Sequence, residues 1–322
     1  MKTIAVVNQK GGCGKTTTAV NLAAALAEQE KNVLLMDLDP QAHATIGFGF
    51  DPDDLRQTMY EAVACPRVKL EDVLVPTALP RLTLAPSSVM LASADVELSR
   101  TTGRELVLGR LLKPVRDTYD VCVMDCAPSV GVLTIGALVV ASDVIIPVQA
   151  QYYSLEGLRR VLETIRLIRA RFHPCSAGNL RVLLTLVESR TTLSQQIQRQ
   201  MREIFGALIF RTVIHTDIRL SEAPSAGESV LQYAPRSRGA KEYRAVAAEI
   251  LGGVAPREPV RGGTERRGIQ KDLSDLFRGL LPSAPFAAQP QAHYHLDPET
   301  VAADEEAMLS AVSTAPTDSD NP

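Results

Sequence analysis

The chain has 322 residues, 45 % hydrophobic and 22 % charged, with 34 Lys+Arg against 37 Asp+Glu; that balance suits a folded protein with a sizeable core and excludes a chain disordered throughout. No apolar run approaches the roughly 18 residues that a membrane-spanning helix needs. Five cysteines without CxxC spacing exclude a disulfide framework and predict a reduced, cytoplasmic protein.

From the N-terminus, Met1–Val7 passes straight into a strand and a glycine-rich loop with no small-residue cleavage site, so no signal peptide is expected. In chain order the apolar periodicity predicts strand Thr3–Asn8, helix Lys15–Gln29, strands Val33–Asp37 and Leu82–Ala85, helix Glu105–Arg116, strand Val121–Asp125 and helix Thr134–Ala141. Strand Val144–Val148, helix Leu155–Phe172, strand Arg181–Val187, helix Leu193–Phe205, strand Ile209–Ile214 and helix Ala240–Leu251 follow. Several strands are continuously apolar rather than alternating, as required when both faces of a parallel sheet are covered. The alternation predicts an α/β fold, a doubly wound and mostly parallel sheet, with ligands at the carboxyl ends of its strands.

One domain is expected over residues 1–252. Beyond Gly252 six basic residues stand against eleven acidic ones, which leaves the body slightly basic. Residues 253–268 read as a Gly/Pro/Arg linker, and 282–322, with no Lys or Arg, as a disordered acidic tail. Between them, over 269–281, Ile269, Leu273, Leu276, Phe277, Leu280 and Leu281 fall on one face of a predicted amphipathic helix.

The stretch with the most chemical content is Lys10-Gly11-Gly12-Cys13-Gly14-Lys15-Thr16-Thr17, directly after a predicted strand and opening a helix. That context makes it a P-loop and the fold a P-loop NTPase. Its glycines let successive N–H groups turn inward on phosphate oxygens, and the helix adds its positive end. Lys15 is predicted to lie on the β- and γ-phosphates, Thr16 to ligate Mg²⁺ and Thr17 to reach the α-phosphate. Cys13 fills a variable position. Two carboxylates complete the site: Asp125, ending an apolar strand, as the Walker B ligand acting on Mg²⁺ through water, and Asp39, just past the second strand, orienting the attacking water. Asp37 reads equally as part of this chemistry or as a strand-end cap for the following turn.

At these residues the sequence resembles the ParA/Soj branch of the deviant Walker A ATPases, the superfamily that includes MinD. Over about residues 1–252 the likeness rests on the extra Lys10, Asp39-Pro40-Gln41 and Asp125-Cys126-Ala127-Pro128-Ser129. It extends through Pro147-Val148-Gln149, Tyr152-Tyr153-Ser154-Leu155-Glu156-Gly157, Arg219-Leu220-Ser221-Glu222-Ala223-Pro224-Ser225 and Pro235-Arg236-Ser237-Arg238-Gly239. Three places depart from the pattern: Ala127 stands for a proline, Gln41-Ala42-His43-Ala44-Thr45 for Gln-Gly-Asn-Ala-Thr, and His215-Thr216-Asp217 for Pro-Arg-Asn, where the adenine is framed.

The resemblance implies an ATP hydrolase that uses Mg²⁺, with Lys10, Lys15 and Asp39 catalytic and Asp217 at the base. It implies that Lys10 crosses a two-fold interface, so that two ATP molecules are sandwiched in a homodimer, and that turnover is slow until a ParB-type partner accelerates it. It further implies a nucleoid-associated protein binding double-stranded DNA without sequence preference, through Arg190 and Arg219 with Arg236 and Arg238 in support; such phosphate contacts are salt-sensitive. The resemblance leaves open a protein cargo in place of a chromosome or plasmid, and a MinD-like membrane role. Against the latter, Lys271 and Arg278 in the amphipathic stretch are balanced by Asp272 and Asp275, giving anionic lipid little to hold.

Overall fold

The computed structural model of the protein describes residues 1–98, 101–151, 154–171, 179–188 and 191–252. The predicted linker, amphipathic helix and acidic tail, and Arg190, lie outside the described residues.

Labelled in chain order, the elements that build the site are β1 (Lys2–Val6), α1 (Lys15–Glu28), β2 (Val33–Leu38), β3 (Val75–Pro76), β4 (Leu82–Ala85) and α2 (Leu91–Leu98). They continue with β5 (Val121–Cys126), α3 (Val132–Val140), β6 (Asp143–Gln149), α4 (Ser154–Arg171) and β7 (Asn179–Thr185). Helices α5 (Thr192–Phe205), α6 (Ile218–Glu222) and α7 (Arg238–Leu251) complete the set. The strands form a 7-stranded sheet in the order β3-β4-β2-β5-β1-β6-β7. Every neighbouring pair is parallel except β3 with β4. Strand order reverses at β1, which lies between β5 and β6, so the crevice for a ligand opens at its carboxyl end.

Strand periodicity divides the apolar residues between two cores. Ile4, Val6, Val33, Leu35, Val121 and Val123 pack on one face with residues of α1 and α7. Ala5, Val7, Leu34, Met36, Cys122 and Met124 pack on the other, with α2, α3, α4 and α5. Every residue of β2 and β5 is buried, which explains why these strands read as unbroken apolar runs. Each fully buried aliphatic side chain contributes roughly 1.5–3 kcal/mol relative to exposure, so the two layers hold the central strands rigidly. Helix α1 is alanine-rich and buried along most of its length, from Thr18 to Ala27; small side chains of high helix propensity let it lie close on the sheet. Its Thr18 hydroxyl meets the buried Tyr243 hydroxyl of α7 at 3.2 Å, and its Asn21 carboxamide oxygen accepts the Val230 N–H at 2.7 Å.

The expected strand Ile209–Ile214 does not form. The segment follows β7 and makes isolated parallel bridges at Ile209 to Val182 and at His215 to Val187. Between those points the Glu249 carboxylate takes the Arg211 and Thr212 N–H groups, at 3.0 and 2.8 Å, and lifts them off the ladder. Arg181, stacked 3.7 Å over the Phe210 ring, pairs with the same carboxylate at 3.1 Å. The other expected strands and helices that fall on described residues are present, Leu82–Ala85 with its bounds unchanged and the rest with shifted ends; Glu105–Arg116 is helical over Arg104–Leu112, as a 3₁₀ turn running into an α-helix.

Candidate nucleotide site

The P-loop leaves β1 and turns on two glycines held at positive φ, Gly12 at 67° and Gly14 at 85°, a conformation that an L side chain adopts only under strain. Long-range bonds pin its backbone from both sides. Asn8, after β1, accepts the Lys10 N–H at 3.0 Å and donates to the Pro147 carbonyl of β6 at 2.7 Å. The Thr185 hydroxyl at the end of β7 donates to the Cys13 carbonyl at 2.8 Å. The Gln149 amide nitrogen, ending β6, donates to the Gly12 carbonyl at 2.9 Å. Cys13 is buried, its thiol raised above the usual value by burial against the opposing charge of Lys15, which suits a packing role.

Lys15 is buried at 7 % exposure and its ammonium donates to the Lys10 carbonyl at 3.2 Å. The Lys10 ammonium donates to the Gln149 amide oxygen at 2.6 Å. Thr16 and Thr17, both half-buried, follow Lys15 in the first turn of α1.

Asp125 is fully buried, and neither carboxylate oxygen has a hydrogen-bond partner. Burial, and then the Asp37 carboxylate, hold it well above the usual carboxylate range; the nearby Thr16 hydroxyl and Lys15 act in the opposite direction without supplying a bond of ordinary geometry. The cause of the repulsion is the sheet register, which sets Asp37 of β2 directly opposite Asp125 of β5. A buried carboxylate with two unused oxygens beside a threonine hydroxyl is an oxygen donor set that fits Mg²⁺, because a hard cation replaces the lost solvation and reverses the repulsion between the carboxylates; the Lys15 ammonium is no metal ligand and is left for the phosphates. Among the described residues no group of three or more His, Cys, Asp or Glu is arranged to hold a metal ion.

Asp37 resolves as a cap. Its Oδ2 accepts the Thr45 N–H and hydroxyl, each at 2.8 Å, and its Oδ1 accepts the Asp39 N–H at 3.2 Å. Burial nonetheless raises its carboxyl to about 6. Asp39 is buried at 7 % exposure and its Oδ1 accepts the Gln41 N–H at 3.0 Å, while Ser87 donates to its carbonyl at 2.8 Å. The turn between passes through Ala42 at φ 52°, where the ParA/Soj pattern has glycine.

The remaining expected residues lie around the C-terminal helices. Asp217 caps two of them: its carboxylate accepts the Arg219 N–H of α6 at 3.0 Å and the Gly239 N–H of α7 at 2.8 Å. Thr216 donates its N–H to the Val187 carbonyl at 3.2 Å, which brings this segment beside the end of β7 and so toward the P-loop. His215 is held by Glu242, its Nδ1 lying 2.6 Å from Oε1. Arg219 is exposed and pairs with Glu222 at 2.7 Å; Arg238 pairs with Glu242 at 2.8 Å; Arg236 is exposed. The structure thus gathers Lys10, Lys15, Thr16, Asp39 and Asp125 at one end of the sheet and sets Arg219, Arg236 and Arg238 on a separate surface segment. Thr45 and Gln149 lie in segments of family likeness that carry no loop-fixing role and Thr185 lies in none; for Gln149 and Thr185 a polar residue ending an apolar strand is the signal that could have found them.

Residues 1–176 match the AAA domain family AAA_31. The chain is 43 % identical over 249 residues to the sporulation initiation inhibitor protein Soj of Bacillus subtilis, covering 77 % of this chain and 98 % of that protein. The chain belongs to the ParA/Soj family of partition ATPases. The chromosome partitioning protein ParA of Myxococcus xanthus is 39 % identical over 258 residues, covering 80 % of this chain and 90 % of its own. Among solved structures, the cobyrinic acid a,c-diamide synthase of Mycobacterium smegmatis with bound ATP analog and magnesium aligns at a TM-score of 0.66 with 35 % identity, over 78 % of this chain and 94 % of that one. In this chain the phosphate loop, the Asp39-Pro40-Gln41 turn and the Asp125 strand end converge on one site.

Proposed function

We propose that the protein is a DNA-partition ATPase that binds ATP with Mg²⁺, forms a nucleotide-sandwich homodimer, and holds nonspecific double-stranded DNA until hydrolysis releases it. The observation that carries this reading is Asp125, a fully buried carboxylate with two unpartnered oxygens beside Lys15 and Thr16. Such a group has no structural use and makes physical sense as the anchor of a magnesium ion.

In this mechanism the N–H groups of Gly11–Lys15 and the end of α1 receive the phosphates, Lys15 neutralises the β- and γ-oxygens, and Thr16 with Asp125 would hold Mg²⁺, which when bound would supply charge stabilisation at the γ-phosphate. Asp39, kept in place by Gln41 and Ser87, orients the attacking water. Asp217 borders the base from its capped turn. Lys10 reaches the partner's nucleotide, so loss of the γ-phosphate on hydrolysis weakens the dimer. A ParB-type protein accelerates that step, and the cycle takes place in the cytoplasm on the nucleoid. No described helix is long and apolar enough to cross a membrane.

Arg190, Arg219, Arg236 and Arg238 form the proposed DNA contacts. The test is binding to nonspecific duplex DNA with ATP–Mg²⁺ against ADP–Mg²⁺ across a salt series. Tight binding with ATP alone, falling steeply with salt and reduced in Arg219→Ala, is expected. Equal binding in both nucleotides would remove DNA from the cycle.

A further inference from the structure

Lys10 is not poised outward in this structure. Its ammonium donates to the Gln149 Oε1 at 2.6 Å, while the nitrogen of the same amide donates to the Gly12 carbonyl at 2.9 Å. The orientation of that amide is fixed by chemistry. Flipping it would set an NH₂ group against an ammonium and an oxygen against a carbonyl, two repulsive contacts in place of two bonds. Gln149 ends β6 and lies opposite Thr185 in the β6–β7 register, and Thr185 holds the next carbonyl of the loop, that of Cys13. Two adjacent strand ends therefore grip the phosphate loop. The Gln149 grip also takes hold of the lysine side chain.

We infer that Gln149 is a positioning residue that latches Lys10 to its own protomer and thereby sets the ATP-dependent dimerisation equilibrium. The inference rests on the reading of Lys10 as the residue that crosses to the partner's nucleotide. To make that contact Lys10 must leave Gln149, and a two-fold dimer breaks two such bonds. A hydrogen bond from an ammonium is stronger than one between neutral groups, so the latch opposes assembly until the partner's triphosphate outcompetes it. A neutral amide suits this role, because it holds the lysine without the strength of a full ion pair. Lys10 is thus kept from straying and remains available for transfer.

The test is sedimentation velocity of the full chain in saturating AMP-PNP–Mg²⁺ over a concentration series, with Gln149→Met, Gln149→Glu and Lys10→Ala beside the wild type. Methionine removes the acceptor, and the dimer dissociation constant is expected to fall by at least about tenfold, one decade being a modest value for two charge-assisted bonds. Glutamate converts the latch into an ion pair, and the constant is expected to rise by a similar factor. Both variants lose the Gly12 bond, so a role confined to supporting the loop would move them in the same direction, and that result overturns the latch. Wild-type constants in both variants, with dimerisation abolished in Lys10→Ala, overturn the latch and leave the sandwich standing. A normal dimer in Lys10→Ala overturns the sandwich and the latch together.

Discussion

Replacing Asp125 with Asn separates the two states of the site. Without metal, Asp125 is a buried carboxylate with no hydrogen-bond partner, raised by burial and by Asp37 across the ladder. The effective penalty for such an ion is several kcal/mol. Asparagine removes the charge and leaves a buried amide costing about 1–3 kcal/mol, so a net gain of about 2 kcal/mol is expected. For a domain of this size that corresponds to a rise of about 4–8 °C in Tm. The sign with pH follows from linkage. An acid whose native pKa is raised binds more protons folded than unfolded, so wild-type stability falls as pH rises from the ordinary Asp range through the raised value. Asp37, raised to about 6, acts in the same direction in both proteins. The advantage of Asp125→Asn therefore grows as pH rises from the ordinary Asp range toward the raised native value and shrinks toward pH 5. Thermal unfolding in EDTA at several pH values reads it directly, and adding ATP–Mg²⁺ should reverse the order, because the variant loses the metal's stabilisation. A variant less stable than wild type at pH 8 in EDTA, or a gain independent of pH, would refute the reasoning.

Asp39→Ala is expected to lower ATP turnover by at least about 100-fold, the usual scale for losing a positioned base, while the ATP-bound dimer persists; phosphate release and sedimentation measure the two effects separately. Glu249→Gln should destabilise the fold by about 2 kcal/mol, since the carboxylate joins Arg181, Arg211 and Thr212. Burial alone would raise its carboxyl, yet the Thr212 and Arg211 hydrogen bonds and Arg181 outweigh it and hold it below the usual value. That stabilisation is present above the ordinary Glu pKa and lost as pH falls through the depressed native one, so the stability gap between wild type and Glu249→Gln, read by denaturant unfolding at each pH, should narrow as pH falls. Ala42→Gly should shift stability by less than about 1 kcal/mol, because relief of positive φ is offset by the lost methyl and the freer unfolded chain. Ala42→Val, in a buried turn at φ 52°, should cost about 2 kcal/mol or more by chemical denaturation.

The architecture was legible because its cause is local. Unbroken apolar runs such as Val121–Met124 and Val33–Met36 signal strands covered on both faces, and Lys10–Thr17 between a strand and a helix signals a phosphate loop wherever it occurs. By itself the sequence therefore determined the α/β class and the phosphate loop, and it singled out Asp39 and Asp125 as the candidate carboxylates. It did not separate the two meanings of Asp37, since a strand-end aspartate suits a cap and a metal site equally; the bonds from Thr45, eight residues on, decided for the cap. It also placed a strand at Ile209–Ile214, where Glu249 of the last described helix withdraws two N–H groups from the ladder. The ends of β6 and β7 at the phosphate loop depend likewise on contacts across 137 residues, from Gln149 to Gly12, and 172, from Thr185 to Cys13. Periodicity reports which face of an element is buried. Which polar atom meets which, across strands distant in the chain, is fixed only when the sheet closes and each buried donor or acceptor takes the nearest partner the register offers.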